Sequence, residues 1–533
     1  MSGVNALRWR RLRCAAVLLA LLAAAPAIAL DCSGRVVLDR DGDGRAGARE
    51  PGIGGVKVSD GLVFARTDAS GRYEFVTAPG RTVHVVKPAG YAAPARADGL
   101  PATWFHLSPA TPVALRYGGL RTHAPACRDF ALRRASKRRP ALDVLLFGDP
   151  QPKSAVDVDH FRRDIVEPLL ATGIDAHLGA TLGDVVDDDL SLLAPVRAQT
   201  VRLQRPWLTV AGNHDMDYDA PTDEGSLDSY REAFGPDTFA WEESEAVFVG
   251  LDDVVFKPGT TTYVGGLRED QFVYLQGYLA TAPRDRLLVV MAHIPFFDPD
   301  PAKETFRRAD RERLFALLAP FPRVLLLTAH GHVQRQYRHG PADGWHGAAP
   351  LHEFNAGAAC GGYWTGRKDA QGIPDSTMAD GTPNGYARLR IDAQGYALSW
   401  HPAREPGSPR LALHAPRVLR RGAYPGFGVY ANVWLGEADT RVEYRVDDGD
   451  WRPMQKVARP DPALLAENAA DDAASSLRGF DRAPEAIAST HLWRGTLPTD
   501  LALGEHRVEV RVQGAVVGEG TATTTYRLED AAP

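Results

Sequence analysis

The stretch WLTVAGNHD, at residues 207–215, carries the pattern that decides the fold class. Its apolar part, Trp207–Val210, has the length and composition of a buried strand, and Gly212-Asn213-His214-Asp215 follows at once. Similar apolar runs occur at residues 142–147, 176–179, 246–251, 287–292 and 324–328. Runs with helical spacing separate them, at residues 161–170, 190–203, 269–280 and 311–318. This alternation predicts an α/β layered domain over residues 140–402.

Polar residues follow five of these apolar runs in turn. They are Asp149 and Gln151, then Asp184 and Asp187, then Asn213 and His214, then His293, and finally His330 and His332. Strand ends of α/β sheets meet at the edge where ligands bind. Carboxylates, imidazoles and an amide oxygen suit two divalent metals, and one carboxylate can bridge them. A lone Asp is usually a helix cap and a lone His a structural residue, but five such groups in order predict a metal site.

These motifs resemble those of the calcineurin-like metallophosphoesterases, and they occur in the order found in that family. Gly357–Gly362 and Asp380–Tyr386, with β-rich segments on both sides of the core, resemble an exported bacterial subfamily that has its own N-terminal and C-terminal domains. The resemblance implies a four-layer α/β/β/α core between two β-sandwiches. It also implies hydrolysis of phosphate monoesters or diesters at a dinuclear metal centre outside the cytoplasm.

The resemblance also assigns roles to residues. It implies that the first metal is held by Asp149, Gln151, Asp184 and His332, and the second by Asp184, Asn213, His293 and His330. Asp184 would bridge the two metals. His214 would protonate the leaving oxygen and be oriented by Asp215, whereas Asp187 is expected to support the ligands without binding a metal.

The chain departs from the family pattern at two positions. Gln151 stands where a His is usual, and its neutral oxygen favours Mn, Fe or Mg over Zn in the first site. Ala329 stands where the last motif usually has Gly. Two registers are therefore open: His330 with His332, or His332 with Gln334. The first is preferred because it keeps both imidazoles.

The flanking segments differ in composition from the core. Residues 31–132 contain short strand-like runs with Asp- and Gly-rich turns, and residues 403–533 alternate in the same way. Both predict β-sandwich domains, the second interrupted by an irregular stretch near 459–485. The Gly-rich stretch 357–386 is expected to form a wall of the substrate site in preference to a plain surface loop.

The first β segment holds a second metal motif. Asp39, Asp41, Asp43 and Glu50, with Gly44 at the sixth position, match the spacing of a twelve-residue calcium loop. The segment before it has strand character, so the loop is not an EF-hand. The alternative is an Asp- and Gly-rich turn that binds no ion.

The N-terminus predicts export. Four Arg residues precede the short apolar run Ala15–Ala25 and the small residues Ala27-Ile28-Ala29. This pattern is typical of a signal peptide over residues 1–29, and the run is too short for a membrane anchor. No stable membrane insertion is therefore expected, and the destination would be the periplasm or the exterior.

The cysteines also indicate the compartment in which the protein is expected to reside. Cys32 and Cys127 bracket the first β domain and predict a disulfide bond in an oxidising compartment. The alternative is a pair of buried free thiols. Cys360 is left as an odd, buried cysteine.

The net charge of -6 argues against a nucleic-acid partner. The expected substrates are small-molecule, glycan or lipid phosphate esters, and the sequence predicts no oligomeric state. A competing hypothesis is a cell-surface or carbohydrate-binding protein whose phosphoesterase core is inactive. The intact set of ligands and the presence of His214 beside them argue against that hypothesis.

Overall fold

The computed structural model describes residues 29–121, 126–135, 139–173, 175–300, 302–404, 409–479 and 481–531. The predicted signal peptide lies outside these residues, apart from Ala29. Among the helices of the described residues, none is long and apolar enough to cross a membrane.

The N-terminal region forms two four-stranded sheets. Its strands are β1 Leu30–Leu38, β2 Lys57–Ser59, β3 Phe64–Arg66, β4 Arg72–Thr77, β5 Thr82–Val85, β6 Tyr91–Ala92, β7 Trp104–His106 and β8 Phe130–Arg134. One sheet has the order β4-β1-β8-β6 and the other β3-β2-β5-β7. Apolar residues of both sheets, such as Val36 and Val83, share one buried cluster. The β-sandwich expected here is what two such sheets around one core form.

The predicted disulfide bond joins Cys32 and Cys127, whose Cα atoms are 5.3 Å apart. Strands β1 and β8 run parallel, with Val36 opposite Phe130. Because Cys127 lies just before β8, this pairing brings it beside Cys32. Cys360 is free and buried, as expected.

The core contains two larger sheets. Its strands are β9 Leu142–Phe147, β10 Leu178–Leu182, β11 Trp207–Val210, β12 Phe239–Glu242, β13 Ala246–Gly250, β14 Val254–Phe256, β15 Tyr263–Gly265, β16 Leu287–Met291, β17 Val324–Thr328, β18 Arg335–His339, β19 Leu351–Asn355, β20 Gly385–Asp392 and β21 Gly395–Pro402. Its helices are α1 Ala155–Phe161, α2 Glu167–Thr172, α3 Leu193–Thr200, α4 Asp228–Phe234, α5 Glu269–Leu279 and α6 Arg308–Leu318. A π turn, Arg162–Val166, joins α1 to α2.

The first core sheet has the order β11-β10-β9-β20-β21, and the second has the order β12-β13-β16-β17-β19-β18. Helices α1 to α3 connect the parallel strands of the first sheet, and α6 connects β16 to β17 in the second. The inner faces of both sheets belong to one buried apolar cluster. The mixed α/β fold predicted from the sequence is therefore confirmed.

The C-terminal region also forms two sheets. Its elements are β22 Leu411–His414, β23 Val418–Arg420, β24 Gly428–Val433, β25 Arg441–Val446, β26 Arg452–Pro453, β27 Gln455–Val457, helix α7 Pro462–Asp472, β28 Leu492–Thr496, β29 Gly504–Gly514 and β30 Gly518–Glu529. The sheet orders are β22-β24-β28-β27 and β23-β30-β29-β25-β26. The expectation of an irregular stretch near 459–485 is wrong in part, because α7 lies within it. Asp461 caps this helix by accepting the N–H groups of Ala463 and Leu464.

We expect loss of the disulfide bond to destabilise the N-terminal region. Replacing Cys32 and Cys127 together by Ser frees a loop with a sequence separation of 95 residues. The chain-entropy model puts the loss of unfolding free energy at up to about 4–5 kcal/mol. Denaturant unfolding measures it, and the wild-type protein under reducing conditions should match the double variant. An unchanged midpoint in both samples would contradict the prediction.

Candidate dinuclear metal centre

The predicted ligands follow the carboxyl ends of neighbouring parallel strands in both core sheets. Strands β9, β10 and β11 lie side by side, and the polar residues after them face those that follow β16 and β17. The two groups meet because both sheets present the same end of their strands. All of the predicted ligands except His330 are buried, with Asp149 and His293 at 0% exposure.

One half of the centre gathers around His293. Its Nε2 atom lies 3.2 Å from Asp184 Oδ2, 3.1 Å from Asn213 Oδ1 and 3.2 Å from His330 Nδ1. The ligand atoms of Asp184, His293 and His330 all lie within 4.8 Å of one another. These are the residues expected to hold the second metal, and their donor atoms converge on one point.

The other half lies around Asp149. His332 Nε2 is 3.8 Å from Asp149 Oδ1, and Gln151 donates from Nε2 to Asp187 Oδ1 over 3.1 Å. The bond to Asp187 leaves the Gln151 Oε1 atom as the oxygen that can bind a metal. Asp187 therefore contacts a predicted ligand, and its supporting role stays a prediction.

Hydrogen bonds behind the imidazoles fix which nitrogen faces the centre. His293 donates from Nδ1 to the Leu182 carbonyl over 2.9 Å, and His332 donates from Nδ1 to the Gly361 carbonyl over 2.7 Å. A carbonyl can only accept, so Nδ1 carries the proton in both rings. Nε2 is therefore the nitrogen of each ring that faces the centre, as in metal-binding imidazoles.

Five predicted ligands have left-handed backbone conformations: Asp149, Gln151, Asp184, His330 and His332, with φ between 39° and 69°. Such conformations cost about 1–3 kcal/mol for residues other than Gly, and they cluster at functional sites. The strain follows from the geometry, since each loop must turn sharply to aim its side chain back over the strand ends. Nothing in the residue types predicted this feature.

Gly212 allows the loop of Asn213 to approach the loop of Asp184. A Cβ atom at position 212 would lie 2.2 Å from Asp184 N and Oδ1, so no other residue fits.

The Asp215 carboxylate joins the same two loops, because it accepts the N–H groups of Gly212, Val185 and Val186 over 2.8–3.1 Å. The expectation that Asp215 orients His214 is therefore wrong. Its oxygens already bind the backbone.

Asp188 contacts His214 in its place. His214 Nδ1 lies 2.8 Å from Asp188 Oδ1 and 3.3 Å from Asp187 Oδ1. Burial opposes the charged imidazole, but Asp188 and Asp184 raise the pKa of His214 to about 9. The side chains of His214 and Asp188 remain 29% and 54% exposed, so a ligand from solvent can reach them. Residues 187–189 are all Asp, so the sequence alone does not show which of them contacts His214.

The electrostatics of the centre fit divalent cations. Burial lowers the pKa of His332 to about 4, and burial with the neighbouring His293 lowers the pKa of His330 to about 3, so both imidazoles are neutral. Burial raises the pKa of Asp149 to about 8. Asp149 Oδ1 lies 3.8 Å from His332 Nε2, and Asp184 Oδ2 lies 3.2 Å from His293 Nε2. Buried carboxylates beside neutral imidazoles are the donor set that divalent metals take.

Aromatic and basic side chains line the open side of the centre. Tyr363 stacks on His332 with ring centroids 4.1 Å apart, and Tyr263 meets His330 edge-on at 6.2 Å. Lys153 Nζ lies 3.7 Å from Asp187 Oδ2 and 5.3 Å from the Tyr363 ring centroid. The Gly-rich stretch 357–386 thus contributes Tyr363 to this side. The basic residue was not foreseen because Lys153 belongs to no motif.

The Asp-rich N-terminal loop has a different arrangement. Oxygens of Asp39, Asp41 and Asp43 lie within 4.8 Å of one another. Arg133 pairs with Asp39 at 2.8 Å, and Glu50 accepts the N–H groups of Arg40 and Gly47. The loop closes on itself through these bonds.

The register of the last motif can be tested with metal binding. His330 Nδ1 faces His293 Nε2, whereas Gln334 is linked through its backbone N–H to Asp380. We expect His330→Ala to lose one bound divalent metal per chain, because it removes an imidazole from the second site. Gln334→Ala is the matched control and should keep both. Elemental analysis after gel filtration measures the metal content. Loss of a metal from the Gln334 variant alone would reverse the register.

Three family models match consecutive parts of the chain. Residues 142–334 match the family model of calcineurin-like phosphoesterases. Residues 40–115 match the model of the N terminal of calcineurin-like phosphoesterase, and residues 353–516 match the model of the C terminal. The three models follow one another and together match most of the chain. Among curated proteins, none matches the chain significantly.

Several solved structures are weakly similar. A dimetal phosphatase from Danio rerio matches with TM-score 0.34 and 13% identity, over 49% of this chain and 96% of its own. The purple acid phosphatase PPD1 from yellow lupin (Lupinus luteus) seeds matches with TM-score 0.37 and 12% identity, over 71% and 65%. A structure of PhoD matches with TM-score 0.37 and 12% identity, over 67% and 82%.

These low scores leave the assignment to the family models. The models place a phosphoesterase core between the N-terminal and C-terminal regions of the same family. The chain belongs to the calcineurin-like phosphoesterases and is a metal-dependent hydrolase of phosphoric esters.

Proposed function

We propose that this protein hydrolyses phosphate monoesters or diesters outside the cytoplasm, at a dinuclear centre that Asp184 bridges. The observation that carries the proposal is the convergence on His293 Nε2, which lies within 3.2 Å of donor atoms from Asp184, Asn213 and His330. The family implies a dinuclear divalent centre, and these donors suit it. Mn, Fe and Mg are preferred over Zn in the first site because Gln151 is a neutral oxygen ligand.

The proposed ligand sets divide at Asp184. Asp149, Gln151 and His332 would complete the first site, and Asn213, His293 and His330 would complete the second; contacts within each group support this division. When bound, two divalent ions would supply Lewis-acid chemistry at the phosphoryl group. The chain itself would orient the ester between the ligand loops and exclude bulk water from the buried side.

His214 is proposed as the general acid for the leaving oxygen. It is partly exposed beside the ligands, and Asp188 favours its protonated form. A protonated imidazole near an ester oxygen can donate its proton as the bond to phosphorus breaks. Asp188 would orient the ring and stabilise its charge.

Export is proposed from two features. Residues 1–29 have the pattern of a signal peptide, and the disulfide bond of Cys32 and Cys127 suits an oxidising compartment. Substrates would then be phosphate esters found outside the cytoplasm, whether small molecules, glycans or lipids.

Calcium binding by Asp39, Asp41, Asp43 and Glu50 stays a prediction of their spacing. Titration calorimetry with calcium would test it, with Asp41→Ala and Asp43→Ala combined as the variant. Heat of binding that the double variant abolishes would support it. No heat with the wild type would exclude it.

The bridge is tested by Asp184→Asn. We expect this change to abolish hydrolysis of a generic aryl phosphate and to remove bound metal, because it neutralises the carboxylate that both ion sites share. Gln151→Ala, which removes one neutral ligand, should cost less. Metal analysis and turnover are measured on the same samples. Two metals and full turnover in the Asp184 variant would contradict the proposed centre.

The acid is tested by varying the leaving group. His214→Ala should lower turnover of alkyl phosphates by roughly 10²–10⁴-fold, the usual range for general acid catalysis. The loss should be much smaller for nitrophenyl phosphate, whose leaving group needs no proton. Metal content should stay near the wild-type value. Equal losses for both substrates would count against the role of His214.

Asp188→Asn tests the orienting contact. It should reproduce part of the His214→Ala loss on alkyl phosphates, since it weakens the bond to His214 Nδ1. Asp189→Asn is the matched control, because Asp189 accepts a hydrogen bond from Ser191 N. Activity ratios for alkyl and aryl esters give the comparison. If the Asp189 variant shows the larger effect, Asp188 is not the partner of His214.

A further inference from the structure

His332 depends on a short turn that is distant from it in sequence. We define the ligand turn as residues 360–366. His332 Nδ1 donates to the Gly361 carbonyl over 2.7 Å, and the ring of Tyr363 stacks on the imidazole at 4.1 Å with an angle of 21° between the planes. The turn therefore sets both the tautomer and the tilt of the His332 ring.

The ligand turn has an unfavourable backbone. Tyr363 and Trp364 have φ of 62° and 56°, which side chains other than Gly rarely adopt. Gly361 is also left-handed, and a Cβ atom there would lie 1.7 Å from the Ser376 carbonyl oxygen. Two adjacent residues other than Gly in such conformations persist only where their surroundings hold them.

A segment of the C-terminal region supplies part of this support. We define the strap as residues 481–491, which lie between α7 and β28. Gly366 N donates to the Asp481 carbonyl over 3.0 Å, and Ile487 N donates to the Ala379 carbonyl over 2.9 Å. Gly362 is so close to the strap that a Cβ atom there would lie 2.8 Å from Pro484 Cδ. The strap thus contacts the ligand turn and the chain that follows it.

A buried polar cluster anchors the end of the strap. His491 Nε2 bonds Asp380 Oδ2 over 3.0 Å, and His491 Nδ1 bonds Asn432 Oδ1 over 2.7 Å. The same Asp380 oxygen accepts the N–H of Gln334, two residues after His332, over 2.8 Å. His491, Asp380 and Asn432 are at most 2% exposed. Asp380 therefore links the strap directly to the loop that carries the ligand.

We propose that the strap positions His332 and so makes the C-terminal β-rich region part of the first metal site. His491 and Asp380 act as positioning residues, since they reach the site only through the Gln334 backbone and the ligand turn. The inference rests on the proposed role of His332 as a ligand of the first metal. It predicts unequal effects on the two ions, because the hydrogen bonds described for His293 and His330 go to residues outside the strap.

The test uses the full-length chain with His491→Ala and titrates the metal-free protein with Co²⁺. Visible absorption and elemental analysis follow the two binding steps. We expect one step to weaken by about 10–100-fold, the usual effect of removing a support behind a ligand. The other step should stay within about twofold of wild type. His491→Gln, which can still donate to Asp380, should recover much of the lost affinity.

Arg494→Ala is the matched control. Arg494 lies three residues beyond the strap, in β28, and donates to the Gly426 carbonyl away from the ligand turn. It should leave both Co²⁺ steps unchanged. Thermal unfolding of every variant separates general destabilisation, which would weaken both steps, from the selective effect.

The inference is wrong if folded His491→Ala protein binds Co²⁺ in two steps with wild-type affinities. If that variant does not fold, Pro484→Ala serves instead, because it removes the contact with Gly362 and leaves the buried cluster intact. In Pro484→Ala, weakening of one Co²⁺-binding step alone supports the proposed role of the strap. Two steps with wild-type affinities contradict it. If the wild-type protein itself does not bind two Co²⁺ ions, the proposed function fails first. That result is distinct from failure of the strap alone.

Discussion

The carboxylate of Asp184 is the constraint around which the rest of the centre is arranged. It is 2% exposed, accepts the backbone N–H of His214 at one oxygen and lies 3.2 Å from His293 Nε2 at the other. Burying a carboxylate is costly unless positive charge compensates it. Burial works against its ionisation, but His293 and its neighbours keep the pKa of Asp184 below the ordinary value. The site is therefore built for positive charge.

The fold meets this constraint by bringing loops together at close range. Gly212 lets the loop of Asn213 touch Asp184, and Asp215 ties the two loops through three backbone N–H groups. The left-handed ligands are held by such contacts, and at His332 the support extends to the C-terminal region. The C-terminal region is thus connected with the proposed metal site, since Asp380 bonds the ligand loop at Gln334 and His491 bonds Asp380.

The proposed ligands could be picked out from the sequence because their signal is local. Each ligand follows an apolar run that could only be a buried strand, and parallel strands place their ends together. The partner of His214 was mispredicted for the opposite reason. Asp215 is adjacent to His214 in sequence, but adjacent side chains on a tight turn point apart, and Asp188 approaches from another loop. A contact between loops leaves no trace in spacing.

The strap and helix α7 were missed for a related reason. The segment near 459–485 has few apolar residues larger than Ala, so its periodicity is weak, and α7 is recognisable mainly from its cap at Asp461. The strap has no regular structure and is fixed by backbone bonds and a buried His–Asp pair. Such tertiary interactions depend on which segments meet, and that follows only from the folded chain.

Anomalous X-ray scattering from crystals grown with Mn²⁺ would locate the bound ions and so test whether Asp184 bridges them. A bridged dinuclear centre predicts two peaks, roughly 3.5–4 Å apart, on opposite sides of the Asp184 carboxylate. One should be bound by Asp149 and His332, and the other by His293 and His330. A single peak, or two peaks that do not share Asp184, would contradict a bridged dinuclear centre.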